Sequence, residues 1–391
     1  MIRTSFVVLC LVGAVSAQDF YLATAADNLL TVRAGRPGEI ARSVPLVGLA
    51  ANEHLAGIDF RPATGDLFGL GDTSRVYRID PSTGMVTAVA APFSPLLNGS
   101  TFGFDFNPTV DRIRVVSDAD QDLRLHPDTG AVVAIDGTLA YAPGDPFANV
   151  NPNVFASAYT NSFAGATSTT LYGIDSNLDT LVVQNPPNAG VLNTVGALGV
   201  NVAGVGGFDI DGTSGTAFAV LATPGSAASA LFRIDLTSGA ATFVAVVGTS
   251  EPIVGFSVLP TPGVAVYGVA TPGCFGPSAI GALGSPTVGN PTFALTCDNA
   301  HPNTVGRLAL ATAPQSVPFP VLGFGLWVDP FSAGTVWLEV ATDAMGRNVA
   351  PLPIPSMSSL RTLQLYDQYV WFDRCTRAGF AASNALALTV L

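Results

Sequence analysis

Three aspartates recur in one short setting: Gly57-Ile58-Asp59-Phe60, Gly103-Phe104-Asp105-Phe106 and Gly207-Phe208-Asp209-Ile210. The apolar residues flanking each Asp alternate along a strand, so the carboxylate points the other way. If these strands meet, the carboxylates line, or lie near, a central channel. Converging carboxylates can bind a cation or perturb one another's pKa for acid–base work. The competing reading is structural, with each Asp accepting backbone amides and locking its own repeat. Recurrence at one repeat position favours that role, because catalytic residues seldom recur repeat by repeat.

Asp118-Ala119-Asp120-Gln121-Asp122 sets three more carboxylates at alternate positions. Ca²⁺ takes about six to eight hard oxygens, and such a run can supply several. An EF-hand loop also needs Gly at its sixth place and Glu at its twelfth, which here hold Leu123 and Thr129. A looser inter-strand Ca²⁺ loop is what remains, and a solvated hairpin turn is the favoured alternative. Arg112, Arg114 and Arg124 lie beside Asp105, Asp111 and Asp122 and can grip a carboxylate or sulfate ligand, although such residues more often pair with neighbouring acids. His54, His126 and His301 are scattered, so neither a zinc site nor a His-based hydrolase is supported. No Gly-x-Ser-x-Gly elbow or P-loop occurs. Asn98-Gly99-Ser100 is a glycosylation sequon, relevant only in a host that has the machinery.

The elements that position these residues form a repeat. Its cleanest copy runs from Thr101 to Gly130. After each Gly-x-Asp-Phe strand comes a strand ending in Asp: Val76–Asp80, Leu171–Asp175 and Leu231–Asp235. A Thr-Gly or Ser-Gly turn then feeds a fourth strand, at Gly84, Gly130 and Gly239. A period of about 46 to 60 residues with four short strands per unit predicts β-propeller blades. Units begin near Leu55, Thr101, Val154 and Gly206. The stretch from Phe20 to Leu49 has only three strands, and the missing one stands at Ile253–Val258. Pairing that strand beside Phe20–Thr24 closes a ring of five blades; the alternative is an open β-solenoid.

Residues from about Phe20 to Leu259 resemble the uncharacterised DUF4394 family of secreted bacterial proteins. The matching stretches are GIDFRPATGDLFGLG, FGFDFNPTVDRIRVVSD, LRLHPDTG, NPNVFASAYTNS, TLYGIDSNLDTLVVQNPPNAG and LNTVGALGV. The resemblance implies a propeller-like repeat and brings no activity with it.

After Pro260 the pattern changes, and two Thr-Pro-Gly turns mark a linker. Strands are expected at Thr292–Thr296, Leu308–Thr312, Leu322–Val328, Thr335–Thr342, Leu360–Phe372 and Ala385–Leu391. They read as an antiparallel β-sandwich. This part is similar to a C-terminal domain of many otherwise unrelated secreted bacterial proteins, through SPTVGNPTFAL, LWVDP, TDAMGRNVAPLPIP and ASNALALTVL. Surface attachment, sorting or carbohydrate contact are the roles that this resemblance leaves open.

Met1 to Ala17 reads as a secretory signal: Arg3, an apolar run from Phe6 to Val15, and a small-residue cleavage site before Gln18. Residues 18–260 then form the propeller and 261–391 the linker and sandwich. The mature chain offers no membrane span. Cys10 leaves with the signal, and in an oxidising compartment two of Cys274, Cys297 and Cys375 should pair. Cys297 with Cys375 is the expected pair, on the premise that first and last sandwich strands are neighbours, and Cys274 with Cys297 is its competitor. Charged residues make up 11% of the 391, against roughly 25% in an average soluble protein. A hydrophobic share of 48% with 41 Gly and 29 Pro indicates all-β structure with many turns, not disorder. The net charge of −12 excludes nucleic acid and anionic lipid as partners. The function expected is a secreted, non-enzymatic binding or scaffold protein for an extracellular protein or glycan, with no cofactor. The rival is a propeller hydrolase or lyase acting on polysaccharides or lactones with Ca²⁺.

Overall fold

A computed structural model describes residues 19–33, 36–226, 228–260, 263–376 and 378–391. The leader read at Met1–Ala17 lies outside them. The chain divides after Ala265 into two compact units.

The first unit is a succession of antiparallel sheets. Asp19–Thr24 (β1), Asn28–Arg33 (β2) and Ile40–Pro45 (β3) open it. Leu55–Phe60 (β4), Leu67–Gly71 (β5), Arg75–Ile79 (β6) and Val86–Ala88 (β7) form the next sheet, in that order. Phe102–Asn107 (β8), Arg112–Ser117 (β9), Asp122–Leu125 (β10) and Val132–Ile135 (β11) form another. Ala140–Tyr141 (β12) then lies parallel to Val191–Ala197 (β16), at the edge of a sheet with Val154–Tyr159 (β13), Leu171–Asp175 (β14) and Thr180–Gln184 (β15). Gly206–Ile210 (β17), Ala217–Ala222 (β18), Ser229–Ile234 (β19) and Ala241–Val246 (β20) follow. The last strand, Ile253–Val258 (β21), returns to pair antiparallel with β1, setting Phe20 opposite Val258 and Leu22 opposite Phe256. The expected pairing of those two segments is therefore present.

The edge strands β4, β8, β13, β17 and β21 lie against one another in that order, and β21 lies against β4. Apolar side chains fill the spaces between sheets. Phe68, Leu70 and Val76 of one sheet pack with Phe104, Phe106, Ile113 and Val115 of the next. Close approach depends on glycine at the second or third position of β4, β8, β17 and β21. A Cβ on Gly207 would stand 2.6 Å from the Phe256 nitrogen, and one on Gly255 2.8 Å from that of Ile58. The turns follow side-chain chemistry: Asp80 accepts the Ser82 amide at 2.8 Å, and Gly84 takes φ +76° to close the hairpin. Asp235, Thr237 and Gly239 repeat that arrangement.

In the second unit a five-stranded sheet runs in the order Val264–Tyr267 (β22), Phe380–Thr389 (β31), Gln364–Phe372 (β30), Val305–Ala311 (β25) and Val336–Ala341 (β28). A three-stranded sheet holds Ala279–Leu283 (β23), Ala294–Asp298 (β24) and Asn348–Pro351 (β29). Pro314–Val321 (β26) and Phe324–Val328 (β27) form a hairpin. The Pro-rich stretch of β26 falls between the strands expected at Leu308–Thr312 and Leu322–Val328. It is extended here because among the described residues β27 is its one strand partner, so its other edge needs no amide donors.

The expected Cys297–Cys375 disulfide is not formed, nor is its competitor Cys274–Cys297. Cys274 bonds Cys375, with Cα atoms 5.0 Å apart. The premise fails because β24, which carries Cys297, pairs with β23 and β29, whereas β31 belongs to the other sheet. Cys297 is buried, and the Trp371 indole donates to its Sγ at 3.3 Å. Cys375 stands in the turn between β30 and β31, where the Asp373 carboxylate accepts the amides of Cys375 at 2.9 Å and Cys274 at 2.8 Å.

Three outcomes are expected. Peptide mapping of the unreduced protein should give a Cys274–Cys375 cross-link. Because the sequence separation is 101, Cys375→Ser should destabilise the second unit by up to about 5 kcal/mol in denaturant titration. Deleting the chain from Ile253 onward removes one of the two partners of β1 and the strand between β17 and β4, so cooperative unfolding of the first unit should disappear. A truncated chain that still shows the cooperative transition of the first unit would refute the third.

Candidate functional site: a buried carboxyl cluster

Asp59, Asp105 and Asp209 occupy the same position on β4, β8 and β17. All are buried, and one oxygen from each lies within 4.8 Å of the others. Their bonds run mostly between sheets. Asp59 accepts the Phe60 amide at 2.7 Å on Oδ1, and on Oδ2 the amide of Phe106, on β8, at 2.8 Å. Asp105 accepts the amide of Tyr159, on β13, at 3.0 Å. Asp209 accepts Ile210 at 2.6 Å on Oδ1, and on Oδ2 the amide of Val258, on β21, at 2.7 Å. The matching places on β13 and β21 hold Ala158 and Ser257. The Ser257 hydroxyl lies 2.8 Å from Asp59 Oδ1 and 3.0 Å from Asp209 Oδ2, and it accepts the Phe60 amide at 3.3 Å.

Burial pushes all three carboxyls up. For Asp59 the Asp209 charge adds to burial, and for Asp105 the charges of Asp59 and Asp209 do. Asp209 is pushed up to about 6, chiefly by burial, against the amides that favour its ionised form. One layer along the strands lies a cavity of about 10 Å³, lined by Gly57, Gly103, Ala156, Ser157, Gly207 and Gly255 among others. That is room for one water, against the roughly 300–1,000 Å³ of a small-molecule site.

The other sequence candidates lie elsewhere. Asp118 accepts the Ser100 amide at 2.7 Å, Asp120 turns the chain with φ +63°, and Asp122 is buried against Arg114 and Gln184. The structure does not bring these three together. Among the described residues the central aspartates bring three carboxyl oxygens close together; Cys274, Asp373 and Cys375 also cluster, but the two sulfurs are spent in the disulfide and are not metal ligands. Arg114 is 1% exposed and faces Asp105 in the register of β8 and β9. Its guanidinium nevertheless donates to Asp136 at 2.6 Å, Asn188 at 2.8 Å, Tyr159 at 3.1 Å and Asp122. Burial lifts Asp122 to about 6, with Arg114 opposing the rise. Arg124 makes a two-point pair with Asp136 at 2.7 and 2.9 Å. Arg112 donates to the Asp111 carbonyl at 2.8 Å.

Sequence reasoning missed Arg61, which bonds Asp111 at 2.8 Å and Asp128 at 2.7 Å. These partners come from the next repeat unit, so no local spacing signals them. Ser257 was legible, since Gly255-Phe256-Ser257-Val258 repeats Gly-x-Asp-Phe with Ser for Asp.

This is an all-β protein of successive antiparallel sheets joined at their edge strands by side-chain-to-backbone bonds. The chain belongs to the family described as Domain of unknown function (DUF4394), which it matches over residues 28–257. No curated protein is similar to it. Among solved structures, a structural-genomics protein of unknown function from Bacteroides thetaiotaomicron aligns with a TM-score of 0.37 at 14% identity, over 61% of this chain and 63% of that one. A nidogen–laminin complex chain aligns at 0.35 and 10% identity, over 63% and 99%. A Kuenenia stuttgartiensis hydrazine synthase chain aligns at 0.32 and 15%, over 83% and 80%.

Removing the Arg114 guanidinium leaves Asp122 and Asp136 buried without their cation. Arg114→Ala should destabilise the first unit by about 3–5 kcal/mol in urea titration at neutral pH. A loss below about 1 kcal/mol would mean that the network is not held as described.

Proposed function

We propose that residues 18–260 form a five-bladed β-propeller, residues 261–391 a β-sandwich, and that together they make a secreted, non-enzymatic binding or scaffold protein. The observation that carries this reading is the engagement of the central carboxyls. They accept amides of neighbouring strands, beside a cavity of about 10 Å³, too small for a substrate. The arginines put forward for ligand capture are likewise engaged by protein groups. What remains for a partner, an extracellular protein or a glycan, is the loop surface. Closure by β21 supports the propeller, since it gives the first three strands their fourth. The disulfide supports export, because such bonds persist in oxidising compartments. Among the described residues no helix is long and apolar enough to cross a membrane.

A second reading rests on the three carboxyl oxygens within 4.8 Å of one another. It is a Ca²⁺-assisted hydrolase or lyase acting on polysaccharides or lactones. One experiment separates the two: the mature chain is screened on a glycan array and against polysaccharide and lactone substrates, with Ca²⁺ and with chelator. Saturable binding without turnover, unchanged by chelator, is expected. Turnover that chelator abolishes would replace the first reading with the second.

A further inference from the structure

Ser257 imposes a constraint on the central cluster that the carboxyl positions alone do not. Its hydroxyl carries one proton and two acceptor sites. One acceptor site takes the Phe60 amide at 3.3 Å. The single proton can reach either Asp59 Oδ1 at 2.8 Å or Asp209 Oδ2 at 3.0 Å, not both. The other contact is a hydrogen bond only if that carboxyl oxygen itself carries a proton and donates to the serine. Two ionised carboxylates would leave one oxygen facing a lone pair at full burial.

Among the described residues no cation compensates the cluster. Every hydrogen bond of Asp59, Asp105 and Asp209 goes to a backbone amide or to Ser257. Arg114 stands opposite Asp105 in register but is held by Asp122, Asp136, Asn188 and Tyr159. Arg61, just beyond β4, is held by Asp111 and Asp128. Tyr159 of β13 is neutral at ordinary pH, and burial raises it further. Asp211, beyond β17, adds negative charge near Asp209. Strands β5, β18 and β1 place Phe68, Phe218 and Tyr21 opposite Asp59, Asp209 and Ser257.

We propose that Asp59, Ser257 and Asp209 share a proton, and that with Asp105 they form an acid-favoured lock between β4, β8, β17 and β21. Protonated, the cluster ties the edge strands together without an uncompensated charge pair; it weakens as rising pH removes the proton. The sign follows from linkage. The folded carboxyls have raised pKa values, so the folded state holds more protons than the unfolded chain. Their stabilising contribution is complete below the unfolded value near pH 4. It is lost as pH climbs through the folded values, about 6 for Asp209 and well above the ordinary carboxyl value for Asp59 and Asp105.

The test compares the mature chain with Asp105→Asn, which keeps the oxygen for the Tyr159 amide and removes one titrating group. Denaturation midpoints are measured from about pH 5 to pH 8. The wild-type midpoint should shift downward relative to the variant as pH rises. Parallel profiles would overturn the proposal. A second measurement needs no cluster variant: the infrared carbonyl stretch of protonated carboxylic acid at neutral pH. It is taken in an Asp367→Leu background, because that buried acid contributes a band of its own. The band should be present and fade in alkali. Its absence, or a tightly bound stoichiometric Ca²⁺ that balances the cluster instead, would overturn the proposal.

Discussion

A carboxylate on the edge strand of one sheet accepts the amide of the next sheet's edge strand, and the first unit is organised by that contact. Edge strands expose unpaired amides, and a buried amide without an acceptor costs about as much as a lost hydrogen bond. Phe106, Tyr159 and Val258 have their amides met by Asp59, Asp105 and Asp209. Aspartate suits the task because it is short and its two oxygens reach two strands at once. Glycine two residues earlier in each of these strands lets the neighbouring backbone come close enough. The price is three carboxyls in one dry place, which is why the sheets join through groups that must partly stay protonated.

Arg114 shows the other way to bury acids. Its guanidinium stands between Asp122 and Asp136, so their negative charge is balanced where it lies. Two solutions therefore coexist within one unit: a cation for the outer acids and shared protons for the central ones. The central cluster loses its hold when its carboxyls ionise, whereas in the outer network the Arg114 cation offsets part of the cost of burying Asp122 in its ionised form.

The repeat was legible because its unit is local: Gly-x-Asp-Phe, a strand ending in Asp, and a Gly turn fall within a fixed span. The pairing of Ile253–Val258 with β1 was legible for a related reason, since a repeat missing one strand and a spare strand elsewhere are complementary defects. What stayed hidden depends on contacts that no spacing encodes. Arg61 reaches Asp111 and Asp128 across a sheet boundary. Arg124 turns to Asp136 and not to Asp122, because β10 and β11 pair side by side. Cys274 and Cys375 lie in loops, and Cys297 in β24, so which of them meet is decided by which sheet each strand joins. In the second unit that choice was not written in the apolar pattern, which is alike for strands of both sheets.

Asp367 carries the argument about buried acids into the second unit. It lies on β30 between Leu310 and Leu386, is 0% exposed, and among the described residues neither carboxyl oxygen has a hydrogen-bond partner. Burial alone raises it, with no carboxylate neighbour sharing the effect. An ionised carboxylate there would be desolvated with nothing in return, so the side chain persists as a neutral acid. In the central cluster the same neutrality has a return, because the acid still accepts strand amides and donates to a serine. Asp367 has the burial without the bonds. Burial sets the protonation state in both units, and it is the partner amides and Ser257 that turn a protonated carboxyl into a joint between strands.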